Sequence, residues 1–369
     1  MVANTDLRER MYHGSPSFHG NSKGLKLEPR ELLRAKDNKI DFERLESLAG
    51  QSVCRAAQFD RAMVIEICRF AALLELTEIA NYQPLAGKIA ITAFFEASTR
   101  TRLSFESAVL RLDGKVLSVP DGRFTGAAKG ESLADIGEMF NTYGDVVIMR
   151  HFETQAIEEI QKNLRLPLIN AGNGSGEHPT QALSDWYTLL KWKPSLTVES
   201  CSPEDRLHLG IVGTPGSMRA VKSFLFLAFQ FSESIREITI VSDMADPLGA
   251  ELYQAIATSE IKLNITHDIQ SGVGDFDIIY MNSIALLGDS YRLLDNRYKL
   301  CVDSPLKQGA VIMHPLARRD ELSSCLDDTP HNLYFAQAAS AVFLRQALLI
   351  CLLDRLGDLP TSVLYLASE

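Results

Sequence analysis

Short apolar runs recur along the chain, closed by polar or glycine-rich turns and followed by residues at helical spacing. They lie near 88–95, 115–119, 145–149, 167–171, 207–212, 236–242, 261–266, 276–281 and 309–313. A strand that alternates with a helix pairs in parallel with its neighbours, through right-handed crossovers. The stretch from Trp192 to Arg206, rich in Pro, Ser and Glu, divides the series and reads as a hinge. At 369 residues the chain is long enough for a core on each side of it. The expected fold class is therefore α/β, with two domains, each a parallel sheet flanked by helices. The first domain is placed at 49–190 and completed by 339–369, which carries most of a long apolar-faced helix, Ala336 to Leu356. The second takes 191–338. Residues 1–48 read as a polar, loosely ordered extension or an added helical piece, which Pro29 to Arg34 could start.

Composition excludes several classes. A net charge of -10 argues against a general nucleic-acid binder. The absence of a run of about 18 apolar residues predicts no membrane span. The polar start, Met1 to Arg10, shows no secretory signal. Cys54, Cys68, Cys201, Cys301, Cys325 and Cys351 are scattered without C-x-x-C spacing. Reduced thiols in a cytoplasmic protein are the simplest account, with no metal site and no cofactor expected.

Chemistry is declared first between Phe94 and Glu106. The run Ile89 to Phe95 reads as a buried strand, and Leu103, Ala108 and Leu112 follow near helical spacing. Ser98 and Thr99 then sit at the head of a helix, where backbone N–H groups are unpaired and the dipole favours negative charge. Two hydroxyls and the Arg100 guanidinium make that turn an anion cradle, most naturally for a phosphate. A plain capped helix would use the same residue types. The next strand but one ends in Arg150-His151, a cation at the edge where open parallel sheets bind ligands. His178 and Gln181, three apart at the start of another helix, can face one pocket. The turn Gly213 to Arg219 misses the G-x-G-x-x-G spacing, so no nicotinamide site is read there.

The wording Glu96-Ala97-Ser98-Thr99-Arg100-Thr101-Arg102-Leu103-Ser104-Phe105-Glu106 resembles the carbamoyl phosphate signature of the aspartate/ornithine carbamoyltransferases. The likeness extends over about residues 50 to 355. His314-Pro315-Leu316, Tyr334-Phe335 with Gln337-Ala338, and Arg345-Gln346-Ala347-Leu348 are similar to the aspartate branch. The resemblance implies that Ser98, Thr99, Arg100 and Thr101 hold the phosphate of carbamoyl phosphate. It puts Arg150, His178 and Thr101 on the carbonyl oxygen and Gln181 on the carbamoyl nitrogen, with Pro315 and Leu316 alongside. Thr125 and Lys129 match loop residues that the family donates to a neighbouring subunit's site, which implies a homotrimer with shared active sites. Arg100, Thr101, Lys129, Arg150 and His178 are the implied catalytic set. Arg219 matches the arginine that grips the amino acid's α-carboxylate, where Lys129 also contributes, and Glu96 matches its interdomain partner. A regulatory chain is possible but not indicated.

The acceptor's side departs from the pattern. Where aspartate enzymes read Thr-Arg-Val-Gln-Lys-Glu-Arg, this chain reads Asn282-Ser283-Ile284-Ala285-Leu286-Leu287-Gly288. Ser283 and Ala285 thus replace the ligands of the side-chain carboxylate, and Gly288 replaces an arginine that braces closure. Ala220 stands where a threonine is usual and Ala317 where a proline is usual. Removing one partner of a desolvated charge pair costs about 2–5 kcal/mol. The expectation is therefore a carbamoyltransferase whose acceptor is an amino acid or amine other than ordinary aspartate. Two alternatives stand beside it. One is an aspartate enzyme in which Arg292 or Arg297 supplies the missing cation. The other is a non-catalytic homologue that binds carbamoyl phosphate.

Overall fold

The structure is a computed structural model that describes residues 24–35, 39–77, 82–198, 202–282, 296–360 and 363. Its first sheet is formed by β1 (Ile89–Phe94), β2 (Lys115–Val119), β3 (Val146–His151) and β4 (Leu168–Asn173), in the order β2-β1-β3-β4. The second comprises β5 (Leu207–Val212), β6 (Ile235–Val241), β7 (Lys262–Thr266), β8 (Ile278–Tyr280) and β9 (Val311–Met313), in the order β7-β6-β5-β8-β9. Every neighbouring pair runs parallel, as helical connections between successive strands require. β4 and β5 are buried along their whole length, whereas β2 is largely exposed.

The helices are α1 (Pro29–Arg34), α2 (Phe42–Glu46), α3 (Arg61–Leu76), α4 (Thr99–Arg111), α5 (Leu133–Tyr143), α6 (Ala156–Gln161) and α7 (Pro179–Trp192) in the first half. The second half adds α8 (Arg219–Gln230) and α9 (Gly249–Ala257), and α10 (Tyr334–Leu352) returns to pack on α3, α4 and α7. Asp60 starts α3 by accepting a hydrogen bond from the Met63 N–H at 2.7 Å. By length and composition α10 could cross a membrane, at 19 residues and mean hydropathy 1.6. Here it is a core helix that carries Gln337, Ser340, Arg345 and Gln346 buried among its neighbours.

The described part of the N-terminal extension is not loose. Buried Arg69 on α3 donates to the carbonyls of Leu33 and Lys39 and pairs with Glu66 at 3.2 Å. Glu66 in turn accepts from the Asp41 N–H at 3.0 Å. An ion pair inside a core is tolerated when its remaining hydrogen-bonding capacity is met, and the extension's backbone meets it. The two domains also share apolar packing. Trp186 on α7 stacks on Phe231 at the end of α8, ring centroids 4.0 Å apart, and its indole N–H donates to the Phe224 carbonyl. One continuous apolar core thus spans both halves.

Candidate active site

Strand register places the first group of polar residues. Phe94 on β1 lies opposite Arg150 on β3, and the Phe95 N–H donates to the Arg150 carbonyl at 2.8 Å. The chain therefore leaves both strands at one level, with Glu96 beside Arg150. Ser98 is the N-cap of α4 in an extended conformation, yet its hydroxyl makes no capping bond and lines the cleft. Thr99, Arg100 and Thr101 form the first turn, where the helix's own N–H groups lack an acceptor four residues back. Hydroxyls, guanidinium and dipole converge on the same space.

The second group comes from the connection between β4 and α7, which is laced rather than flexible. Asn170 Oδ1 accepts from the Gly172 N–H at 2.8 Å, and Asn173 Oδ1 accepts from the Glu177 N–H at 3.0 Å. Gly172 has φ +111°, and a Cβ there would lie 3.0 Å from Arg219 Nε and 3.3 Å from Arg150 Nη1. Glycine is needed at that point so that two guanidiniums can share the cleft floor. Glu177 accepts from the Ala56 N–H at 2.7 Å and from the Ser223 hydroxyl at 3.1 Å, and Ser223 accepts from the His178 N–H at 2.9 Å. His178 caps α7 and Gln181 lies in its first turn, both at the cleft.

Across the cleft, Arg219 opens α8. It donates twice to Glu96, at 2.6 and 2.8 Å, and once to the Gly174 carbonyl at 2.9 Å. Glu96 thereby bridges Arg150 in the first domain and Arg219 in the second. The turn after β9 is fixed by His314, whose Nδ1 accepts from the Leu316 N–H at 2.8 Å while Nε2 faces Glu321 at 2.9 Å. With Nδ1 as acceptor, the proton sits on Nε2.

The charges explain the site's protonation. Burial, then the nearby Arg150 and Arg219, push His178 well below the usual histidine range, so it is a neutral imidazole at physiological pH. Its Nε2 has no hydrogen-bond partner among the described residues. Burial lowers Arg150 to about 10, which leaves it a cation near neutrality. For Glu96 burial raises the pKa, but the Arg219 and Arg150 contacts outweigh it and hold the carboxylate low.

Ser98, Thr99, Arg100, Thr101, Arg150, His178, Gln181, Arg219, Pro315 and Leu316 line one cleft of about 720 Å³. Thr125 and Lys129 do not line it. They sit in two 3-10 turns beyond β2, where the Thr125 hydroxyl donates to the Gly122 carbonyl. Ser283 and Ala285, like Gly288 and Arg292, fall outside the described residues. Arg297 is exposed, near Asp243 at 3.8 Å. Sequence reasoning did not single out Gln337 and Arg345 of α10 as site residues, though both line the cleft. Polar residues on a mainly apolar helix, Arg345 and Gln337 among them, were the available signal. Arg345 is wholly buried over the Phe105 ring, 4.3 Å from its centroid, and burial lowers it to about 9.

Both halves match known family models. Residues 51–191 match the aspartate/ornithine carbamoyltransferase carbamoyl-P binding domain, and residues 205–352 match the Asp/Orn binding domain. The chloroplastic aspartate carbamoyltransferase of Arabidopsis thaliana is 36% identical over 311 residues, 82% of this chain and 77% of that one. The aspartate carbamoyltransferase catalytic subunit of Picrophilus torridus is 36% identical over 284 residues, 74% of this chain and 88% of that one. Among solved structures, Trypanosoma cruzi aspartate transcarbamoylase with carbamoyl aspartate and phosphate superposes with a TM-score of 0.73. It is 31% identical, over 84% of this chain and 98% of that one. The chain belongs to the aspartate/ornithine carbamoyltransferase family. It is a carbamoyltransferase whose fold and sequence are similar to those of aspartate carbamoyltransferases.

Proposed function

We propose that the chain transfers the carbamoyl group of carbamoyl phosphate to the α-amino group of an amino acid, giving a ureido acid and phosphate. The observation that carries this is the convergence of Ser98, Thr99, Arg100, Thr101, Arg150 and His178 on one cleft opposite Arg219. In the reaction a neutral amine attacks the carbamoyl carbon, negative charge builds on the carbonyl oxygen, the bond to the phosphate oxygen breaks, and the amine's proton passes to the departing phosphate. Arg150, Thr101 and the neutral His178 are donors for that oxygen. One well-placed donor of this kind is worth about 3–4 kcal/mol. The turn at Ser98 to Thr101 takes the departing phosphate, Gln181 and the Pro315-Leu316 turn meet the carbamoyl amino group, and Arg219 holds the acceptor's α-carboxylate. Holding both reactants across one cleft removes the entropy of encounter.

Aspartate is the first acceptor this reading names, because the matching relatives are aspartate enzymes. That weighs against the sequence expectation of a different acceptor. A second reading keeps the donor and changes the acceptor. It is favoured by Ser283 and Ala285 standing where the side-chain carboxylate's ligands belong. Of the described residues on the second-domain wall, Ser217, Met218, Ala220 and Asn282 add no cation to Arg219.

Thr125 and Lys129 enter the reading as groups donated to a neighbouring copy in a homotrimer. Support comes from exposed apolar side chains around the β2 edge, Leu110, Leu117 and Phe124, the last 79% exposed. The five described cysteines are free thiols, which suits a reducing compartment such as the cytoplasm.

The test is phosphate release from carbamoyl phosphate across a panel of amino acids, with mass detection of ureido products and light scattering for assembly. Turnover of aspartate at an ordinary rate supports the first reading, and turnover confined to another amine supports the second. No ureido product with any acceptor sinks both, and a monomer in solution removes the shared site.

A further inference from the structure

Behind Gln181, one turn along α7, Asp185 is wholly buried and receives hydrogen bonds from three elements. Gln181 Nε2 donates to its Oδ1 at 2.7 Å, and Gln337 Nε2 on α10 donates to the same oxygen at 2.6 Å. The Tyr280 hydroxyl, at the end of β8, donates to Oδ2 at 2.6 Å. The sense of this chain is set from one end. The backbone N–H of His314 donates to Gln337 Oε1 at 2.9 Å. A backbone N–H can only donate, so Gln337 turns its NH2 toward Asp185, and Oδ1 must be an acceptor. Gln181 therefore also turns its NH2 inward, which leaves its carbonyl oxygen for the cleft that it lines.

We infer that Asp185 is a positioning residue whose Oδ1 holds the Gln181 amide with its carbonyl facing the cleft, so that the site takes an N–H donor there. This rests on the proposed function, in which the carbamoyl amino group lies against Gln181. A reversed amide offers N–H groups to that amino group, donor against donor, in a cleft already lined by Arg150 and Arg345. The lock does not require a charge on Asp185. In the neutral acid the carbonyl oxygen accepts both amides while the O–H donates to the Tyr280 oxygen. Asparagine reproduces that pattern, with its amide carbonyl on the two glutamines and its NH2 on Tyr280.

The experiment is calorimetric titration of carbamoyl phosphate into the wild type, Asp185→Asn, Asp185→Leu, Gln181→Ala and the Asp185→Leu/Gln181→Ala double variant. Asp185→Asn is expected to stay within about threefold of the wild-type Kd, since its hydrogen-bond pattern is the same. Asp185→Leu is expected to weaken binding by about tenfold or more, through a Gln181 amide left free to turn. In the Gln181→Ala background the same substitution is expected to add less than about twofold, since it acts through that side chain. Wild-type affinity in a folded Asp185→Leu protein overturns the inference, as does an equal loss in both backgrounds, which marks a purely structural role. Should Asp185→Leu not fold, Asp185→Ser takes its place in the cycle with the same outcomes. A wild-type protein that binds no carbamoyl phosphate overturns the functional reading itself, whereas normal binding with a flat cycle overturns only the role of Asp185.

Discussion

The two walls of the cleft are built differently. On the first-domain wall, Arg150 leaves a strand end, and Ser98, Thr99, Arg100, Thr101, His178 and Gln181 lie at helix heads. Arg150 is held by register with β1, the Ser98 to Thr101 turn by the head of α4, and His178 by a laced connection into α7. On the second-domain wall the described residues supply one cation, Arg219, with Met218, Ala220, Asn282 and the Pro315-Leu316 turn around it. A dense, pre-aligned donor set suits a small phosphorylated substrate whose charge must be met from many directions. A wall whose described residues carry a single cation suits an acceptor read mainly at its α-carboxylate. In the proposed reading, the donor is met at strand ends and helix heads of the first wall, and the acceptor's α-carboxylate at Arg219 on the second.

Three measurements break or sharpen that contrast. The largest effect is expected for Arg150→Ala, which removes a cation from the reacting end of the first wall. Turnover should fall by about 10²–10³-fold, the loss typical of one oxyanion donor. A steady-state assay that shows less than a tenfold fall would remove the first wall's claim to the chemistry. Next is Arg219→Met, which strips the second wall of its cation. The acceptor's KM should rise by about 30-fold or more, the low end for a truncated desolvated charge pair. Carbamoyl phosphate binding should change far less. Equal losses for both substrates would mean that the walls do not divide the work.

The smallest effect concerns the link between the walls. Burial raises Asp185 to about 7, from an ordinary value of 3.8. Between those values the folded state holds a proton that the unfolded chain has lost. This contribution to stability is therefore full at acid pH and falls as pH rises toward 7. Wild type should lose unfolding free energy relative to Asp185→Asn steadily from pH 5 to 7. A difference independent of pH in urea melts would show that Asp185 does not titrate in that range. His178, held neutral, should add no inflection to activity between pH 6 and 8.

Much of this was legible in the chain itself. Strand 115–119 and strand 207–212 lie where the apolar runs put them, Asp60 caps the helix that follows it, and Ser98 stands at the N-cap position of its helix. Those are local events, governed by apolar spacing and by the hydrogen-bond demands of helix ends, and both are written in neighbouring residues. The signature turn was legible for the same reason, since the strand, the hydroxyls and the helix head are contiguous.

What only the tertiary structure decided involves residues far apart in sequence. The N-terminal extension looked loosely ordered because its partner, the buried Arg69, lies on a helix whose pattern gives no sign of it. Arg345 and Gln337 passed as members of an apolar-faced helix, and their place at the cleft depends on how α10 packs against α4 and α7. The sense of the Gln181 amide depends on a backbone N–H 133 residues later in the chain, relayed through Gln337 and Asp185. No local pattern encodes such a relay. Hydrogen-bond polarity passes through space, and the order of residues along the chain carries no record of it.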